Sequence, residues 1–325
     1  MNLHRLRIFQ AVAQHMSFST AAEHLYLTQP AVSLQVRALE RSLDVRLFDR
    51  TGGRLALTPA GEALLRSATA ILNAEAEARR VIDELKGASA GRLLLAANTT
   101  GGMYFVPRVI AAFRAEAPKV QIELDVDATD RICERVAQST VDIGFVAGPL
   151  EDRRLTVEPV AQDRLVLVAS PAHPLAAGGR RRVTLEELTA QPLIVPEAAS
   201  RTRMLVERRL REAGLPFRPA GQLVGTEAVK KAVEADLGVA FVSSYAVEDE
   251  LATGRLRALE IEGLAIVRPI VMVYRSERYF TPAAQRFRAF VLAWAARAAR
   301  DRRGAAGPAA VARASGRGGR RGRRR

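Results

Sequence analysis

The apolar residues of the first 58 positions recur at helical spacing and are interrupted twice by capping residues, which restricts this segment to short helices packed on one another. Leu3, Leu6, Phe9, Ala13 and Met16 form one apolar stripe. Ser17-Phe18-Ser19 breaks it and offers Ser19 as the N-cap of a second helix, built on Ala21, Ala22 and Leu25 and ending near Leu27. Thr28 is the next N-cap, and Pro30 falls in the first turn, where its missing N–H costs little. Ala31, Val32, Val36 and Leu39 carry this third helix to about Asp44. Two short helices joined tightly and braced by an earlier one form a helix-turn-helix. Arg50–Thr58 then reads as a hairpin turning at Gly52-Gly53, with Leu55 and Leu57 alternating.

A helix that reads base edges needs short polar side chains at its N-terminal end and basic groups around it for phosphates. Gln29, Ser33 and Gln35, with Pro30 among them, supply the first requirement. Gln can pair with adenine bidentately and Ser can meet any base. Arg37, Arg41 and Arg50 supply the second, and Arg54 at the hairpin tip is placed to enter a minor groove. Arg37 or Arg41 alone is equally well explained as a solvated helix face, so the arrangement carries more weight than any one residue.

Thr58-Pro59 opens a long helix without an internal proline as far as Lys86. Leu64, Ser67, Ile71, Ala74, Ala78, Val81 and Leu85 form a heptad seam along it, which predicts a dimerising linker. Gly87–Gly91 marks a hinge. Beyond it strands alternate with helices. The expected strands are 92–97, 120–126, 141–146, 155–160, 164–169, 193–195, 239–242, 256–259 and 266–274, and the helices begin near Thr100, Thr129, Thr202, Thr226 and Pro282. Such alternation predicts parallel sheets with a ligand crevice at the strand ends.

Charge and composition narrow the function. The net charge of +14 is concentrated at the end of the chain, where residues 297–325 hold 11 arginines and one acid, a local +10. That tail has no aromatic residue and reads as disordered, either a nonspecific phosphate clamp or merely a solvated extension. One cysteine, Cys133, rules out a disulfide framework or a Cys₄ metal site and reads as a buried, inert thiol. With four histidines and no HExxH, G-x-S-x-G or phosphate-loop motif, neither an enzyme nor a metal or cofactor is expected. Asp142 reads as a structural cap or anchor rather than an acid catalyst. No apolar run reaches the ~18–20 residues of a membrane span and no signal peptide is evident, so a cytoplasmic location is expected.

The segments S-F-S-T-A-A, T-Q-P-A-V-S, L-F-D-R and L-T-P-A-G-E together resemble the DNA-binding half of LysR-type transcriptional regulators, and the resemblance extends over residues 1–295. It implies a winged helix-turn-helix (1–58), a linker helix and hinge (59–90) and a two-lobed α/β effector domain like periplasmic binding proteins (91–296). Lobe one would be 92–163 with 268–295 and lobe two 164–267, with crossings near Asp163 and Arg268. It also implies homodimers or homotetramers on double-stranded DNA with interrupted two-fold symmetry, and RNA polymerase as a candidate further partner. Gly52-Gly53 departs from the bulkier residues frequent in the wing, and the Arg-rich tail is not part of the pattern.

In such domains a ligand lies between the lobes. The turns Asn98-Thr99-Thr100, Ala128-Thr129, Ser200-Arg201-Thr202-Arg203 and Thr226-Glu227 are expected to converge there. Hydroxyls and free N–H groups at helix starts suit a small anionic effector, although each Thr or Ser is also a sound N-cap. Thr100 and Thr202 are expected to touch it, with Arg203 or Arg201 compensating its charge. The segments S-R-T-R, G-T-E-A-V-K-K-A-V and L-G-V-A-F-V-S resemble the branch that regulates carbon-fixation and related sulfur-metabolism operons, where S-G-T-R is frequent, so Arg201 is a departure. The competing reading is a small-molecule-binding protein with no role in gene control; the helix-turn-helix argues against it.

Overall fold

The computed structural model describes residues 1–51, 54–86, 91–276 and 280–305. The N-terminal head comprises α1 (Leu3–His15), α2 (Phe18–His24), α3 (Gln29–Leu43) and the antiparallel hairpin β1 (Phe48–Thr51) and β2 (Arg54–Leu57). Phe9 and Phe18 close on Phe48, with ring centroids 5.4 and 5.7 Å apart. Leu3 and Met16, the ends of the expected stripe, are exposed, and Met16 leaves α1 in a left-handed conformation. The cap of α2 is Ser17 rather than Ser19: its extended backbone aims the hydroxyl at the Thr20 N–H, 3.2 Å away, which puts Phe18 and Ser19 inside the helix. Thr28 caps α3 as expected, and Asp44 ends it in a left-handed conformation. The Gly52-Gly53 turn lies outside the described residues.

The linker helix α4 (Pro59–Leu85) starts with Thr58 accepting from the Gly61 N–H at 3.0 Å. Gly61 is required at this contact, because a Cβ there would meet the Leu47 carbonyl oxygen at 2.1 Å. The helix has partners in its own chain, contrary to a free-standing seam. Ala68 and Leu72 join the head's core against α1, Leu64 is partly buried there, and Val81 is buried farther along. Ser67, Ile71, Ala74, Ala78 and Leu85 remain exposed as one stripe. The expected hinge at 87–90 lies outside the described residues.

The effector domain runs β3 (Arg92–Ala97), a π-helical turn (Gly101–Phe105), α5 (Val106–Glu116), β4 (Gln121–Val126), α6 (Thr129–Ala137), β5 (Ile143–Ala147), β6 (Leu155–Ala169), β7 (Arg182–Val183), α7 (Leu185–Thr189), β8 (Leu193–Pro196), α8 (Arg201–Glu212), β9 (Pro219–Leu223), α9 (Thr226–Glu234), β10 (Ala240–Ser243), α10 (Glu248–Ala252), β11 (Arg257–Ile261), β12 (Ile266–Arg275) and α11 (Pro282–Ala305). The two strands expected at 155–160 and 164–169 are one, β6. It pairs antiparallel with β12 along ten register positions, so a single ribbon runs through both halves of the domain. The main sheet has the order β4-β3-β5-β12-β6-β11-β7, with β10 also on β6. In it β3–β4, β3–β5 and β7–β11 are parallel, whereas β12 and β6 pair antiparallel with their neighbours, so the main sheet is mixed rather than parallel throughout; β8 and β9 form a separate parallel pair.

Four elements were not expected from the sequence: α7, α10 and the strands β7 and β9. The first carries a legible signal, since Thr184 and Glu187 form a capping box. The last helix, α11, extends to Ala305, so residues 297–305 of the expected disordered tail are helical; the rest of the tail lies outside the described residues. Phe287 of α11 is fully buried and meets Phe113 edge-to-face with centroids 5.0 Å apart, seating the helix on the β3–β5 half. Among the described residues, no helix is long and apolar enough to cross a membrane.

Candidate nucleic-acid interface and ligand cleft

On α3, the Gln29 side-chain amide donates to the Ser33 hydroxyl at 3.2 Å, so the two face the same way, one helical turn apart. Pro30 and Arg37 are exposed beside them. Gln35 turns elsewhere: it is partly buried and accepts from Arg5 Nε of α1 at 3.2 Å. The side chains of Arg50 and Arg54 lie outside the described set. Two exposed apolar residues outside the expected set lie on α3 and in the turn before it. Leu34 is 58% exposed on α3, and Tyr26 is 96% exposed in the turn before it, held at φ +56°. The signal was an apolar residue at a position where α3's own periodicity calls for a polar one.

The centre of the effector domain is a charged pair inside the sheet. Asp163 of β6 and Arg268 of β12 are register partners, joined at 2.8 Å with both side chains buried. The Ser243 hydroxyl donates to the other Asp163 oxygen at 2.6 Å. Arg268 then reaches both lobes. Nη1 donates to Thr202 Oγ1 on α8 at 2.9 Å, and Nη2 to Thr100 Oγ1 after β3 at 3.3 Å. Thr100 and Thr202 are therefore brought together by a guanidinium that the sequence reading treated only as a crossing point. Its signal was a charged residue within the apolar run I-V-R-P-I-V-M-V.

Other expected residues have local duties. Asn98 Oδ1 accepts from the Gly101 N–H at 3.1 Å, and Thr99 is exposed. Thr129 is buried at the start of α6, Ser200 precedes α8 without a side-chain capping bond, and Thr226 is half-buried at the start of α9. Arg203, expected to compensate an anion, is engaged inside lobe two. It donates to Gln222 Oε1 at 2.5 Å and to the Pro196 carbonyl at 3.3 Å, and lies over the Phe217 ring. Arg201 instead reaches across to Asp130 of α6 at 2.7 Å.

Further contacts bridge the lobes. Arg108 pairs with Glu248 at 2.7 Å, and the Tyr104 hydroxyl donates to Glu227. Glu227 also meets Lys230 at 2.8 Å, and the buried Lys230 ammonium is held by Glu250 and the Ala246 carbonyl, at 2.9 and 2.7 Å. Burial opposes that charge, but the bonds from Glu227 and Glu250 overcome it and hold the Lys230 pKa above its ordinary value.

Comparison with known proteins gives the family and the fold. The profile of the bacterial regulatory helix-turn-helix protein, lysR family, matches residues 3–62, and that of the LysR substrate binding domain matches residues 86–296. A RuBisCO operon transcriptional regulator of Allochromatium vinosum is 38% identical over 297 residues, covering 91% of this chain and 97% of the relative. The HTH-type transcriptional activator CmpR of Synechocystis is 34% identical over 291 residues, covering 90% and 95%. Full-length CbnR complexed with its target DNA shares the fold at a TM-score of 0.68 and 24% identity, covering 90% of this chain and 99% of that one. The regulatory domain of Synechocystis CcmR in complex with 2-PG aligns at a TM-score of 0.57 and 27% identity, covering 63% of this chain and 97% of that one.

Proposed function

The chain belongs to the LysR family of DNA-binding transcriptional regulators, with a ligand-binding domain after the helix-turn-helix, and from that premise we propose that it senses a small anionic metabolite between its lobes. Its relatives are regulators, not enzymes. The observation that carries the proposal is Arg268, whose guanidinium joins Thr100 of one lobe to Thr202 of the other. An anion entering there replaces its lost water with bonds from a buried guanidinium, two hydroxyls and the free N–H groups at the start of α8. The complex of CcmR with 2-PG supports this class of ligand, and the RuBisCO-operon relatives support a role near carbon fixation.

On the DNA side, Gln29, Pro30 and Ser33 read bases, Tyr26 and Leu34 add apolar contact to thymine methyls, Arg37 and Arg50 hold phosphates, and Arg54 enters a minor groove. The exposed stripe on α4 joins two copies, so that a homodimer, or a homotetramer of two, spans an operator with two-fold symmetry. The protein works in the cytoplasm, and RNA polymerase is its candidate partner in activation.

The test is a gel-shift on the DNA upstream of the gene, combined with thermal shifts across a panel of metabolic anions. A bound anion should raise the melting temperature and change operator occupancy. Thr100→Val with Thr202→Val should abolish both effects while leaving DNA binding near normal; wild-type response in the double variant would overturn the cleft assignment. Failure to bind any upstream DNA would favour a ligand-binding protein without a role in gene control.

A further inference from the structure

Beside the Arg268 junction lies a cavity of about 260 Å³, slightly below the ~300–1,000 Å³ usual for ligand pockets. Arg201, Met204, Leu205 and Arg208 of α8 form one wall, Gly148 after β5 forms the other, and Arg268 lies at its edge. Three arginine side chains therefore line a space that no acid among the described residues lines. Their charges are not equally available. Arg268 is neutralised by Asp163 inside the sheet, where both side chains are buried. Among the described residues Arg201 is balanced by Asp130, which is 89% exposed, and Arg208 by Glu212 at 3.7 Å on the same helix. Ion pairs in water contribute little and exchange readily. The cavity thus offers two guanidiniums beyond the one that the protein itself has neutralised.

We propose that Arg201 and Arg208 form a second anion position and that the effector carries two anionic groups, one at the Thr100–Arg268–Thr202 junction and one between these two arginines. The proposal rests on the reading that the effector lies between the lobes. A phosphate or carboxylate suits the second position, because a guanidinium presents a planar pair of donors to it. Arg201 has two partners to choose from. In the structure it holds Asp130 of the facing lobe; with the second anionic group bound it turns inward and gives up that bridge. Binding therefore exchanges a contact between lobes for a contact to ligand. A glycine at this position, as in S-G-T-R, would supply neither the bridge nor the charge.

The experiment is calorimetry on the full chain at fixed ionic strength with two matched pairs of probes, glycerate against 3-phosphoglycerate and propionate against succinate. In the wild type the doubly anionic member of at least one pair should bind ten-fold tighter or more. Arg201→Gln with Arg208→Gln should reduce that advantage to within two-fold, leave the singly anionic probe unchanged, and have a partial counterpart in Arg201→Lys. An advantage that survives in the double variant, or its absence in the wild type, overturns the second position. Thr100→Val with Thr202→Val separates the two ideas: loss of both members of the pair supports the cleft reading, and unchanged binding of both rejects it whatever the arginine variants do.

Discussion

Asp142, whose side chain is completely buried, takes the Arg80 guanidinium of the linker helix on both its oxygens, at 3.3 and 3.4 Å. One of those oxygens also accepts the Leu94 N–H at 2.7 Å. Asp142 is thus an anchor between α4 and the β3–β5 edge of the effector domain, and β5 runs directly from it to Gly148 at the cavity. The Asn73 side chain donates to the Gln138 carbonyl at 2.7 Å and Glu84 accepts from the Ala283 N–H at 3.1 Å, so the linker is held to the effector domain at several points.

Asp142→Ala should destabilise the effector domain by about 2–4 kcal/mol, because it leaves a partly buried N–H and a partly buried guanidinium without their acceptor. Denaturant unfolding measures this, and Asp142→Asn should recover only part of the loss. A change below about 1 kcal/mol would mean that water replaces the carboxylate.

Replacing Gln29 or Ser33 by Ala should reduce preference for the operator over unrelated DNA by about 1–3 kcal/mol per lost base contact. Arg37→Ala should weaken all sequences alike and lower the salt slope. Gln35→Ala should act differently, through stability, because Gln35 is bonded to Arg5. Competition gel-shifts at several salt concentrations separate these outcomes.

Ile71→Glu with Ala78→Glu should yield monomers in sedimentation and much weaker operator binding, since both residues are exposed within one chain. Leu64→Glu should unfold the head instead, because Leu64 packs into its core. A dimer that persists in the Ile71/Ala78 variant would move the interface off this stripe.

Burial pushes the Cys133 thiol pKa up, and the neighbouring Asp152 carboxylate adds to the shift. Less thiolate is present at any given pH, so alkylation by iodoacetamide at pH 8 should be about ten-fold slower in the folded protein than in the denatured chain, or slower still. Equal rates in the two states would show that Cys133 is neither shielded nor shifted.

The amino-acid sequence by itself determined what depends on near neighbours. Thr28 and Thr58 as caps, the order of strands and helices, and the motifs around Gln29 and Ser33 are legible because helix starts and periodicity are set within a few residues. The exceptions are instructive: Ser17 and Ser19 were both competent caps, and only the packing of Phe18 on Phe48 chose between them. The ligand cleft is of a different kind. Asp163 and Arg268 are 105 residues apart, and Thr100 and Arg268 are 168 apart. Whether such side chains meet depends on how β6 and β12 register, and that is decided by the whole sheet. The sequence supplied Thr100 and Thr202 as good caps; the tertiary structure put one buried guanidinium between them, turned Arg203 inward to Gln222, and left Arg201 at the mouth of the cavity.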